Sequence, residues 1–190
     1  MKRQFGSNLD EYGFERYEEN AFPVAYLITF RTYGTWLHGD ERSSMQRGRD
    51  RRFGTIRLAP NVPLEEKMAD GMKNSAVLLT EQQRGLVDIA IRETCEHRGF
   101  GLRACNVRTN HVHVVVKASV KPEKIAGDFK SYSTRRLRKA GEFLPDQKIW
   151  TRGASTRYLW KPHYVDAAIE YVLYSQGDVP FETVIDLSDA

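Results

Sequence analysis

The chain has 190 residues with two cysteines and a formal charge of +4. That is enough for one well-cored domain, too few cysteines for a disulfide-stapled scaffold, and no apolar run reaches the roughly 18 residues of a membrane helix. The charge is unevenly placed: residues 1–20 and 178–190 are acidic, leaving a middle with 26 basic and 16 acidic residues. A basic body between acidic ends suits a polyanionic partner, nucleic acid first.

Residues 1–20 read as a polar acidic extension without the apolar block of a secretion signal, so the expected compartment is the cytoplasm. Residues 24–33 predict a strand, with Tyr26, Ile28 and Phe30 on one face. Trp36 to Asp40 opens a long excursion. Within it Arg42, Arg47, Arg49, Arg51 and Arg52 crowd into a stretch that is either a solvated loop or an arm that orders on phosphates. We read 39–60 as a basic insertion and place a short helix over 63–73.

Thr80-Glu81-Gln82-Gln83 is a capping-box sequence, and Val87, Ala90, Ile91, Thr94 and Cys95 form the apolar stripe of the helix behind it, stopped by Gly99. His97 suits that helix's C-terminal end. Residues 102–108 predict a strand, and Thr109-Asn110 a tight turn into Asn110-His111-Val112-His113-Val114-Val115-Val116. Cys95 and Cys105 read as buried thiols.

On that second strand His111 and His113 project from the same side. Two imidazoles side by side on a stiff strand either hold a divalent cation with coordination positions to spare or serve as hydrogen-bonded core residues.

Pro122 opens another helix, with Ile125, Phe129, Tyr132 and Arg136 or Leu137 facing inward and Gly141 ending it. Residues 148–150 and 157–160 are short strand candidates. Pro162 starts the last helix, with Val165, Ala168, Ile169 and Val172 on its core stripe and Gly177 as its stop. The order predicts an α+β fold, a ferredoxin-like (RRM-like) antiparallel sheet with helices packed on one face and a C-terminal tyrosine-bearing helix, spanning 21–177.

Tyr171 sits one position off the last helix's apolar stripe. A helix laid across the histidine-bearing sheet presents that phenol to the same space. With a cation polarising a phosphate, a tyrosine can attack in line and keep the energy of the broken phosphodiester in a phosphotyrosine link. Strand joining then needs no nucleotide cofactor, and the sequence has no phosphate-binding Walker loop.

The ordered set Asn110-His111-Val112-His113, Phe129-Lys130-Ser131, Trp150, Tyr158-Leu159-Trp160 and Glu170-Tyr171-Val172 near Gln176 resembles the HUH-type single-tyrosine transposases, which include small insertion-sequence transposases and REP-associated tyrosine transposases. The segments Ala25-Tyr26-Leu27-Ile28-Thr29-Phe30 and Thr35-Trp36-Leu37-His38-Gly39-Asp40 extend the resemblance, which covers roughly residues 24 to 177. It implies a transposase that nicks and rejoins hairpin-flanked single-stranded DNA through a 5′-phosphotyrosine intermediate. It also implies His111 and His113 on a Mg²⁺ or Mn²⁺ ion, Tyr171 as nucleophile, and a homodimer in which the tyrosine helix serves its own or the partner's histidines.

The family places a third ligand, a glutamine, four residues after its tyrosine. Here that position is Ser175, and Gln176 lies about 140° round the helix from Tyr171. Either a distortion at the helix end brings Gln176 to the metal or another group completes the shell. Tyr174 is the lower-ranked alternative nucleophile, and His38 and His163 are expected to be hydrogen-bonding or surface residues. For DNA contact we single out Lys130, Arg135, Arg138, Arg152 and Lys161, against ordinary surface charge. Trp36 and Trp150 are core residues first and stacking platforms second. Two other readings stand beside the transposase: a non-catalytic single-stranded or hairpin nucleic-acid-binding protein on the same fold, and a hydrolase with water as nucleophile.

Overall fold

The computed structural model describes residues 22–37, 44–45, 57–58, 60–72 and 74–175. The expectations for 1–20, His38, most of the arginine-rich stretch, Gln176, Gly177 and 178–190 lie outside the described residues.

Strand β1 (Ala25–Arg31) is central to the sheet. Its alternation works on both sides: Tyr26, Ile28 and Phe30 are buried on one face, Ala25 on the other. Inside the arginine-rich stretch β2 (Ser44–Met45) pairs with β3 (Arg57–Leu58), so its two ends form a short antiparallel ladder. Helix α1 (Val62–Asp70) follows, its first turn capped by Asn61, whose side chain accepts from the Leu64 amide; it buries no residue.

Helix α2 (Glu81–Arg98) starts as its sequence demands. The Thr80 hydroxyl accepts from the Gln83 amide, and the Gln83 side chain accepts from the Thr80 amide. Gly99 closes it at φ 66°, a left-handed position that suits glycine. Strand β4 (Gly101–Val107) turns directly into β5 (His111–Lys117), the Arg108 amide donating to the His111 carbonyl. Helix α3 (Pro122–Lys139), strand β6 (Ser155–Leu159) and helix α4 (Pro162–Tyr174) complete the chain.

The four-stranded sheet runs β4-β5-β1-β6, antiparallel throughout. β5 lies between β1 and β4, the strands that α2 links, and β1 lies between β5 and β6, the strands that α3 links. Two interleaved split βαβ units result, the ferredoxin-like arrangement read from the element order. Residues 148–150 form no full strand; Trp150 makes a single bridge to Thr32.

Tyr132 is only half-buried, and Ser133 takes the buried place between Phe129 and Leu137, because the true contact ridge repeats every four residues from Ile125. A larger difference concerns the helices. α2 and α3 cover the face carrying Tyr26, Ile28, Phe30, Val112, Val114 and Val116, whereas α4 packs on the opposite face. There Val165, Ala168 and Val172 meet Ala25, Ala104, Val115 and Leu159. The sheet is therefore covered on both sides. That explains the unbroken valine run of β5, which would be wasteful on a half-solvated strand. Val115, fully buried on α4's side, contributes about 1.5–3 kcal/mol to seating that helix.

Candidate active site

His111 and His113 share α4's side of β5 with Val115. Their ring centroids are 4.7 Å apart and the planes nearly perpendicular. Each ring is oriented through Nδ1. His111 Nδ1 lies 2.5 Å from Asn110 Oδ1, an acceptor only, so the proton is on Nδ1 and the lone pair on Nε2. His113 Nδ1 lies 2.7 Å from the hydroxyl of Thr29, its register partner on β1. That hydroxyl can accept from Nδ1–H, which is the tautomer that leaves Nε2 to ligate. A second group fixing Nδ1 so that Nε2 can ligate is the usual support of a histidine metal ligand. His113 is buried at 6 % exposure, while His111 is half-buried.

Val172 is the last core residue of α4, and seating it puts Tyr171 over the histidines. The Tyr171 ring centroid is 5.6 Å from that of His113, at 77°, and the residue is 43 % exposed. The Tyr171 ring thus meets one imidazole of the pair, that of His113, within one chain. Tyr174 is 68 % exposed, and His163 packs on Tyr164 at the far end of the helix.

Asn106, which the sequence reading did not single out, holds this geometry. It is the β4 register partner of His113, is 2 % exposed, and donates from Nδ2 to the Val172 carbonyl at 2.7 Å. A helix's last carbonyls have no partner inside the helix, so a buried amide that donates to one anchors the terminal turn. The signal in the sequence was a lone asparagine inside Ala104-Cys105-Asn106-Val107: a buried carboxamide needs a partner somewhere.

A cavity of about 610 Å³ opens beside Tyr171 and His113, bounded by Thr29, Arg31 and the 151–155 loop with Arg152. Arg31 stacks on Trp36, its guanidinium carbon 3.6 Å from the ring centroid. Lys130 acts on the same loop. Its ammonium donates to the Thr151 carbonyl at 3.0 Å and to the Gly153 carbonyl, tying down the turn that carries Arg152. Burial lowers the Lys130 ammonium to about 8, while those carbonyl acceptors favour its charged form.

The other basic residues scatter. Arg135 stacks on Tyr132 at 4.3 Å and lines, with Arg136 and Lys139, a cleft between α2 and α3 on the opposite side of the sheet. Arg138 donates to the Gln147 carbonyl from an exposed position. Lys161 occupies the N-cap of α4, ten residues and about 15 Å of helix from Tyr171. Trp150 is a packing residue: it meets Phe30 edge-on and donates from Nε1 to Thr134. Cys95 and Cys105 are free and buried, as expected; burial pushes the Cys95 thiol up to about 12 and raises that of Cys105 well above its ordinary value.

Among the described residues no cluster of three or more His, Cys, Asp or Glu side chains surrounds the imidazole pair. The pair itself, on one face with both Nδ1 atoms engaged, fits a cation taking two protein nitrogens and completing its shell from elsewhere. No helix among the described residues is long and apolar enough to cross a membrane.

No curated protein matches the sequence. Among solved structures, the chain is similar to a REP-associated tyrosine transposase bound to a REP hairpin, at 13 % identity and TM-score 0.47, over 85 % of this chain and 72 % of that one. It is also similar to a Deinococcus radiodurans R1 protein assigned as a transposase, at 16 % identity and TM-score 0.43, over 84 % of this chain and 95 % of that one. The model of the family described as "Transposase IS200 like" matches residues 71–183, a span that holds the histidine strand, the Lys130-bearing helix and the tyrosine helix. With more than half of its length matched by that model, this chain belongs to the IS200-like transposase family.

Proposed function

We propose that the protein is a metal-dependent transposase that nicks and rejoins hairpin-bearing single-stranded DNA, with Tyr171 as nucleophile. The observation that carries this reading is the meeting, in one chain, of the Tyr171 ring with the His113 imidazole, which stands beside that of His111 two residues along β5. A hairpin-bound tyrosine transposase among the similar structures is consistent with the substrate class.

The phosphate to be cut enters the cavity between Tyr171 and the 151–155 loop, where Arg31 and Arg152 meet its non-bridging oxygens. His111 and His113 would hold a Mg²⁺ or Mn²⁺ ion, which when bound withdraws charge from that phosphate. Tyr171 Oη gives up its proton to water and attacks phosphorus; the Oη–P bond forms as the bond from phosphorus to the 3′ oxygen breaks, and the leaving oxygen takes a proton from water to become a free 3′-OH. The product is a 5′-phosphotyrosine. Attack by another 3′-OH reverses the step and joins strands without an outside energy source. Thr29 and Asn110 keep the two rings turned, and Asn106 keeps the tyrosine turn seated. Gln176 remains the candidate third ligand from the sequence.

The test is incubation with Mn²⁺ and labelled single-stranded oligonucleotides that carry hairpins. A covalent protein–DNA adduct on denaturing gels is expected, lost in Tyr171→Phe and in His111→Ala. Cleavage without an adduct would assign the chemistry to water; a mobility shift without cleavage would leave a binding protein.

A further inference from the structure

Tyr171 has a second cavity on its other side. This one, of about 590 Å³, shares Thr29, Ser155 and Tyr171 with the phosphate cavity but differs in chemistry. Leu27, Leu159 and Ala168 give it an apolar floor, while Arg157 and the half-exposed Tyr164 provide a guanidinium and an aromatic ring. Leu27 and Arg157 are register partners on β1 and β6, so floor and guanidinium are fixed by the same strand pair. Tyr164 and Ala168 lie one turn apart on α4, so the aromatic wall belongs to the helix that carries Tyr171.

We propose that this second cavity is a subsite for one nucleobase flanking the scissile phosphate, with Leu27, Leu159 and Ala168 against its face, Tyr164 stacking on it and Arg157 donating to its edge. The proposal rests on the assignment of Tyr171 as nucleophile. Because the two cavities share walls, a strand with its phosphate in the first brings an adjacent nucleotide within reach of the second. A base is the part of that strand with flat apolar faces and a polar rim, which is what this lining complements. The volume lies in the range of sites for small organic ligands. An aromatic ring beside a guanidinium is the usual stacking equipment of single-strand binders, and the paired donors of Arg157 suit a base edge with two adjacent acceptors, such as O6 and N7 of guanine.

The test is an abasic scan across the cleavage site of a strand that forms the Tyr171 adduct, read as initial rate of adduct formation. In the wild-type protein one position adjacent to the cut phosphate is expected to lose roughly tenfold when its base is removed, within the range of a lost stacking contact. Ala167→Trp fills the cavity from an exposed position of α4. It is expected to slow the intact strand to the abasic rate and to shrink the penalty at that position below about twofold. Tyr164→Ala, at an exposed residue whose loss leaves the core intact, is expected to shrink the same penalty. A scan with no position singled out, or a tenfold penalty that persists in both variants, would overturn the subsite while the adduct on the intact strand still upheld Tyr171. Failure of every strand to form an adduct would remove both.

Discussion

Replacing Asn106 by leucine keeps the number and branching of the side-chain heavy atoms and removes one hydrogen bond, that from Nδ2 to the Val172 carbonyl at 2.7 Å. The carbonyl lies next to Tyr171 in a helix that ends at Tyr174, so it is left without its side-chain donor where intrahelical donors are running out. Leaving a buried acceptor unpaired costs about 1–3 kcal/mol. For a domain of this size that corresponds to a melting temperature lower by about 2–12 °C. Where the loss falls matters more than its size. The last turn of α4 loosens and the phenol no longer dwells over His113, while Thr29 and Asn110 still orient the imidazoles. Single-turnover adduct formation should fall about 5- to 140-fold, at roughly tenfold per 1.4 kcal/mol. Mn²⁺ affinity measured by titration calorimetry should stay within about twofold. If adduct rate and metal affinity fall together, Asn106 supports the whole sheet rather than the tyrosine turn. An unchanged adduct rate despite the lower melting temperature would refute the anchoring argument.

Thr29→Val removes the hydroxyl beside His113 Nδ1 and should weaken Mn²⁺ binding by about 10- to 100-fold in the same calorimetric titration, with the fold intact by circular dichroism. Lys130 gives a pH signature. Its folded value of about 8 lies below the ordinary 10.5, so between those values the unfolded chain binds more protons and this group makes stability rise with pH. Denaturant midpoints of wild type minus Lys130→Met should therefore increase from pH 8 to 10; a flat difference would show that the loop carbonyls fully offset burial. Thr80→Ala breaks the capping box of α2 and should cost about 1 kcal/mol in urea unfolding without changing the adduct rate per folded molecule.

Local grammar made much of this fold legible. The capping box at Thr80 and the glycine at Gly99 bound α2 because they satisfy backbone groups within a few residues, and such signals do not depend on tertiary context. The alternation of β5 was equally readable and put His111 and His113 on one face. Periodicity identified the stripe that seats α4, and thereby Tyr171, but not which side of the sheet the stripe would meet. Val115 and Val114 look alike in sequence, yet they face different helices. Long polar side chains were the least legible. Lys130 was singled out for its charge, and the fold sends that charge to two loop carbonyls behind Arg152. Arg135 was grouped with it because both lie on α3, but five residues along a helix turn a side chain to another face, and Arg135 lines the α2–α3 cleft. Asn106 escaped notice because its partner is a backbone carbonyl 66 residues away, which no spacing rule encodes.

The claim on which the mechanism depends is that one chain supplies both the imidazole pair and the phenol for a single cut. Mixing equal amounts of Tyr171→Phe and His113→Ala proteins, each inactive alone, with the hairpin-bearing strand and Mn²⁺ tests this directly. The geometry of α4 over β5 predicts no adduct beyond that of either variant. Recovery of adduct formation in the mixture would contradict it, showing that the tyrosine of one molecule works with the histidines of another.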